Sequence, residues 1–156
     1  LPTGDGAPSD AFLAWRAFSQ NVPVFPAGQI LQRATLTELS HEVVAAYDAP
    51  FPDEAYKSGA RQFPLLVPIA PDDPAAPANR AAWRALERFE KPFLTAFSDG
   101  DPITRGVDVA FQQRIPGARG RQHVTLAGGG HFLQEDCGEA FANVVVGFIA
   151  ATQGTR

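Results

Sequence analysis

Residues His123–Asp136 read "HVTLAGGGHFLQED". The apolar run "HVTLAG" predicts a strand, and an amphipathic pattern from about Asp136 to Ala151 predicts a long helix. Between them stand Gly128, Gly129 and Gly130, followed at once by His131. Glycines let a backbone turn sharply and lie close to its neighbours. The residue that follows them is therefore presented at the rim of a sheet. A strand that hands over to a helix through such a turn places its functional side chains at the carboxyl end of the strand.

The same arrangement recurs upstream. Pro92–Ser98, "PFLTAFS", predicts a buried strand, followed by the polar turn "DGDPITRG" and a short helix near "VDVAFQQRI". Strand, helix, strand, helix implies a parallel pair in an α/β fold. Before Lys91 the character differs, with helical patterns interrupted by proline. Asp10 is the expected cap of a helix carrying Phe12, Trp15 and Phe18, "GQILQRA" forms a turn or two, and "SHEVVAAYD" runs from Ser40 to about Tyr47. "EAYKSGARQFPLLVPI" continues as a helix that Pro64 must kink or break. A proline-rich connection, "APDDPAAPAN", leads to the amphipathic "RAAWRALERF", for which Asn79 is the expected cap and in which Trp83 packs.

A lone parallel pair exposes two edges and buries little apolar area. With only two strands legible, the expectation is the C-terminal part of a larger sheet. Five or more strands within these residues would overturn it. The absence of methionine, even at the opening "LPTGDGAPSD", points the same way: the start was processed away or the chain is part of something longer.

At 156 residues and 45% hydrophobic, the composition is globular. A formal charge of −4 with scattered Lys and Arg leaves no basic stripe for nucleic acid and no polybasic membrane patch. The single cysteine, Cys137, excludes an internal disulfide. It opens a helix, where a thiol pKa can fall, although a small buried side chain is the preferred reading. No N-terminal apolar segment resembles a signal or a membrane span, so the default expectation is a soluble, cytoplasmic protein. His41 and His123 lack any partner pattern and read as surface residues.

Asp101, after the first strand, and His131, after the second, are expected side by side above adjacent strands. A carboxylate bonded to imidazole fixes its tautomer and stabilises the imidazolium formed when the ring takes a proton. The order acid then histidine, on loops after late strands, fits the α/β hydrolases. Asp99 is the rival acid. Asp101 ranks above it because Pro102 follows at the usual turn position.

Together "DAFLAWRAF", "YDAPFPDEAYKSGARQFPLLVP", "SDGDPITRG" and "AGGGHFLQED" resemble the haloalkane dehalogenases, from Phe12 to about Ile149. The resemblance implies a helical cap domain over residues 1–90 and the last two strands and helices of the α/β-hydrolase core over 91–156. It implies hydrolysis of carbon–halogen bonds without metal or organic cofactor. An aspartate displaces halide from a small haloalkane, and a histidine activates water against the resulting alkyl-enzyme ester. By position His131 resembles that base and Asp101 its acid partner, while Trp15 resembles the cap tryptophan that binds the leaving halide ion. An indole N–H in an apolar pocket stabilises charge developing on the halogen. Phe12, Phe63, Pro64, Val67 and Ile103 match positions lining the substrate pocket.

Neither the nucleophile elbow, the second halide-binding tryptophan nor the oxyanion-hole loop of that family is found in the sequence. The chain alone is expected to be inert, with the N-terminal part of the hydrolase domain as its partner. Tyr47 and Tyr56 keep an epoxide hydrolase of the same fold as the alternative. A non-catalytic hydrolase-derived subunit and, more weakly, a serine esterase are the others.

Overall fold

A computed structural model describes residues 1–153. Helices α1 (Asp10–Asn21), α2 (Ala27–Ala34), α3 (His41–Asp48), α4 (Ser58–Gln62) and α5 (Ala76–Leu86) precede strand β1 (Ala96–Ser98). Helix α6 (Val107–Arg114), strand β2 (Val124–Leu126) and helix α7 (Leu133–Thr152) follow. The chain divides into two compact units, Leu1–Ile30 with Leu39–Ala85, and Leu31–Glu38 with Leu86 onward. The short segment Leu31–Glu38 thus belongs to the second unit although the chain on both sides of it belongs to the first.

The first unit is helical. Ser9, not Asp10, caps α1, its hydroxyl accepting from the Phe12 N–H at 3.2 Å. Ser40 caps α3 in the same way. Helix α5 starts at Ala76, so Asn79 lies inside it and cannot cap it; its side-chain amide donates instead to the Pro2 carbonyl at 2.6 Å. Arg80 bonds the Thr3 carbonyl and Asp5, and the buried Trp83 donates its indole N–H to the Leu1 carbonyl at 2.8 Å. The N-terminal segment is therefore fastened along α5. The run from Glu54 to Leu66 forms a 3-10 turn, α4 and a second 3-10 turn rather than one helix. The last turn begins at Phe63-Pro64, where the ring removes an N–H and clashes with a continuing helix.

The second unit holds the sheet, which among the described residues has two parallel strands in the register Ala96↔Val124, Phe97↔Thr125, Ser98↔Leu126. β1 is shorter than the predicted Pro92–Ser98 because the preceding backbone is engaged elsewhere. The Phe93 N–H goes to the Gly117 carbonyl at 3.0 Å and the Thr95 N–H to His123 Nδ1 at 3.1 Å. His123, expected at the surface without a partner, is half-buried and bonded. Its Nδ1 accepts from Thr95, which leaves the proton on Nε2 to be donated to the Ala118 carbonyl at 3.0 Å. Ile115, Ala118 and Leu126 are buried in this unit, and the Phe93 ring packs against Phe89 at 6.3 Å and Phe111 at 6.1 Å. A side chain at Gly117 would stand 1.8 Å from the Lys91 carbonyl oxygen, so only glycine fits there.

Helix α7 begins at Leu133 rather than near Asp136, with one non-helical residue, Cys137 (φ −143°, ψ 39°). It is apolar yet has no buried residue, and Val146 is 64% exposed. Among the described residues no helix is long and apolar enough to cross a membrane.

Candidate active site

β1 and β2 end side by side, and the two turns that leave them carry the site. Asp99 and Asp101 leave β1 in opposite roles. The Asp99 carboxylate accepts from the Gly128 N–H at 2.9 Å and ties one turn to the other. Asp101, 3% exposed, faces His131, whose Nδ1 lies 2.9 Å from its Oδ2. The rival acids are thus separated by geometry: only Asp101 contacts the imidazole.

Burial would push the Asp101 carboxyl up, but hydrogen bonds from Thr104, His131 and the Ile103 N–H outweigh it and hold the pKa below its usual value. The Ile103 N–H sits 2.7 Å from Oδ1, and the Thr104 hydroxyl donates to Oδ2. Asp101 is therefore ionised near neutrality, and it takes the Nδ1–H of a neutral His131. The ring's Nε2 then carries the lone pair. With 37% of its side chain exposed, His131 has the access a general base requires. A depression of about 140 Å³ opens beside it, lined by Ala96, Phe97, Asp101, Thr104 and Leu133 among others.

Gly128 adopts a φ of +77°, the left-handed conformation that starts the turn. Gly129 and Gly130 are buried at close approaches. A Cβ at Gly129 would meet Cys137 Sγ and Ser98 Cβ at 3.0 Å, and one at Gly130 would meet the Ala34 carbonyl oxygen at 2.5 Å. The Ser98 hydroxyl donates to the Gly130 carbonyl at 2.8 Å. Cys137 is half-buried, and burial together with Asp136 and Asp99 pushes its thiol up, the reverse of the lowering open to a helix-opening thiol. Among the described residues no cluster of His, Cys, Asp or Glu could hold a metal ion.

In the first unit Trp15 lies on α1, half-buried, stacked on Phe18 at 6.0 Å and tilted against Phe25 at 6.0 Å. The Arg61 guanidinium covers the Phe25 ring at 5.2 Å and bonds Glu54 at 2.7 Å. Pro64 is buried, Phe12 and Val67 are half-buried and Phe63 is 71% exposed. Ile103 is half-buried on the Asp101 turn. Thr104 and Leu133 escape sequence reasoning, although Thr104 sits three residues from Asp101, the reach of a side-chain hydrogen bond across a turn.

No family model matches the chain. A haloalkane dehalogenase of Psychrobacter cryohalolentis is 56% identical over 149 residues, 96% of this chain and 49% of that protein. One from Mycobacterium marinum is 49% identical over 146 residues, 94% of this chain and 49% of its own length. The chain is homologous to the haloalkane dehalogenases. It spans about half the length of the dehalogenases it matches. The tetrameric haloalkane dehalogenase DpaA from Paraglaciecola agarilytica superimposes with a TM-score of 0.75 at 21% identity, over 97% of this chain and 48% of that one. The fold is accordingly that of an α/β hydrolase in part, with the helices and parallel strand pair expected of the C-terminal part of a dehalogenase.

Proposed function

We propose that this chain supplies the cap, over residues 1–90, and the acid–base half of a haloalkane dehalogenase, over 91–156. In this reading an aspartate nucleophile from outside these residues displaces halide from a small haloalkane. It belongs to the portion that the relatives have and this chain does not match, in the same polypeptide or an associated one. His131 Nε2 then takes a proton from water, which attacks the alkyl-enzyme ester, and Asp101 stabilises the imidazolium. Trp15 donates its indole N–H to the departing halide, and Phe12, Phe63, Pro64, Val67 and Ile103 line an apolar pocket. No metal or organic cofactor takes part.

The observation that carries this reading is the 2.9 Å contact between a buried, ionised Asp101 and an accessible His131, in a chain homologous to dehalogenases. The test is halide release by the complete enzyme, compared with its His131→Ala variant. That variant is expected to perform the first displacement and then stall, gaining the mass of one alkyl group. Full steady-state turnover by His131→Ala would refute the base assignment. Diol formation from an epoxide without halide release would favour the epoxide hydrolase. The 156 residues assayed alone are expected to release no halide.

A further inference from the structure

The turn that carries His131 is held from below by a carboxylate that the reaction itself does not use. Asp136 Oδ1 accepts from the Leu36 N–H at 2.9 Å and the Thr37 N–H at 2.7 Å, and its Oδ2 accepts from the Gly130 N–H at 2.7 Å. Leu36 also reaches Oδ2, at 3.1 Å. Next to this clasp the His131 N–H donates to the Ala34 carbonyl at 2.8 Å. Residues 34–37 and 130–131, almost a hundred positions apart, are thus joined within the second unit by the Asp136 side chain and by one backbone bond.

This arrangement constrains the imidazole. Gly130 is fixed on one side by Asp136 and on the other by Ser98, whose hydroxyl bonds its carbonyl. The backbone N–H of His131 is fixed to Ala34, so the main chain on which the ring pivots has little freedom. Charge-assisted bonds to backbone N–H groups are shorter and about twice as strong as neutral ones. Burial raises the Asp136 carboxyl, but the bonds from Gly130, Thr37 and Leu36 overcome it, so the group is ionised and bonds as a carboxylate.

We propose that Asp136 is a positioning residue for the water-activation step, holding the turn so that His131 meets Asp101 and the ester together. The proposal rests on His131 being the base. It assigns Asp136 no contact with substrate. Misplacing a base by about 1 Å costs up to a hundredfold in rate.

The test is Asp136→Asn in the complete enzyme, with displacement and ester hydrolysis measured separately in single turnovers. An amide keeps the shape but turns an N–H group toward one of the donors. The expected result is ester hydrolysis slowed about tenfold to a hundredfold, with the displacement rate and substrate affinity unchanged. A purely structural role would lower the active fraction or slow both steps alike, and either result overturns the proposal. Unchanged hydrolysis overturns it as well. Should Asp136→Asn fail to fold, Asp136→Glu keeps the charge while its extra methylene shifts the clasp, and the same split is expected of it. His131→Ala, measured alongside, separates the two levels. Retained hydrolysis there overturns the base assignment and with it the role of Asp136, whereas a trapped ester there with an unaltered Asp136→Asn overturns the role of Asp136 alone.

Discussion

The surroundings of His131 and of Trp15 are built by different physics. The histidine turn is clamped by hydrogen bonds: Asp99 to Gly128, Asp136 to Gly130, Ser98 to Gly130, His131 to Ala34. The tryptophan is held by rings, between Phe18 and Phe25, with Arg61 over the far ring. Hydrogen bonds weaken steeply with angle, whereas aromatic contacts accept a range of tilts at centroid distances of about 4.5–7 Å. The contrast suits the proposed roles: a base must aim one nitrogen lone pair, which an angular frame provides, and a halide ligand needs an apolar wall and one N–H, for which packing suffices.

The largest expected effect attacks the angular side at its core. Asp101→Asn keeps the shape but can no longer hold the Nδ1–H tautomer as a carboxylate does, and ester hydrolysis in the complete enzyme should fall about 10⁴-fold. The displacement step should change little, and single-turnover kinetics measure both. A loss below tenfold would mean that the acid partner is another residue, and Asp99→Asn would then be the variant to try.

Trp15→Phe attacks the packed side. The ring remains to stack on Phe18 and Phe25, while the N–H donor disappears. Hydrogen bonds to charged groups contribute about 1.5–3 kcal/mol, so halide affinity should drop about tenfold to a hundredfold with thermal stability nearly unchanged. Halide titration followed by fluorescence or calorimetry decides it; unaltered affinity would remove Trp15 from the site.

Gly130→Ala probes the clasp sterically. Its Cβ would stand 2.5 Å from the Ala34 carbonyl oxygen and 3.1 Å from Asp136 Oδ2, and backbone cannot yield as a flexible side chain does. A loss of about 1–3 kcal/mol is expected in urea unfolding. Gly138, in α7, has nothing within 4 Å of a Cβ, and Gly138→Ala should be neutral or gain up to about 1 kcal/mol. Equal losses at both positions would show that helix α7, rather than the turn, is what the substitutions disturb.

The contrast also explains what could be read in the sequence. The His131 turn and its partner at the end of the preceding strand were legible because glycines, strand pattern and chain order are local signals. Asp136 was not, because its partners Leu36 and Thr37 lie 100 and 99 residues away and leave no mark beside it. His123 looked solitary for the same reason: Thr95 is 28 residues upstream. The strands are shorter than their apolar runs where a side chain, the His123 ring, takes the place of a ladder partner. Asn79 is not the cap because the helix already begins at Ala76 and runs through Pro77, and proline is tolerated in a first turn.

The smallest expected effect lies in the first unit, in the part-buried ion network around Glu54. Lys57 at 2.7 Å, then Arg61 at 2.7 Å, hold the Glu54 carboxyl down to about 2, against burial and with help from the Phe25 N–H. The unfolded-state value is near 4.3. A depressed acid contributes stability in full above its unfolded pKa and loses it as pH falls through the folded one. The stability gap between the parent and Glu54→Gln should therefore be constant above about pH 5, narrow from about pH 4 and close near pH 2. With 39% of the Glu54 side chain open to solvent, its pairs are screened by salt and contribute little, so the gap should be small and shrink in high salt. Urea midpoints along a pH series measure it. A gap that persists unchanged below pH 2 would mean that Glu54 acts through the shape of its bond to Phe25, and the tryptophan side would then share the angular character of the histidine side.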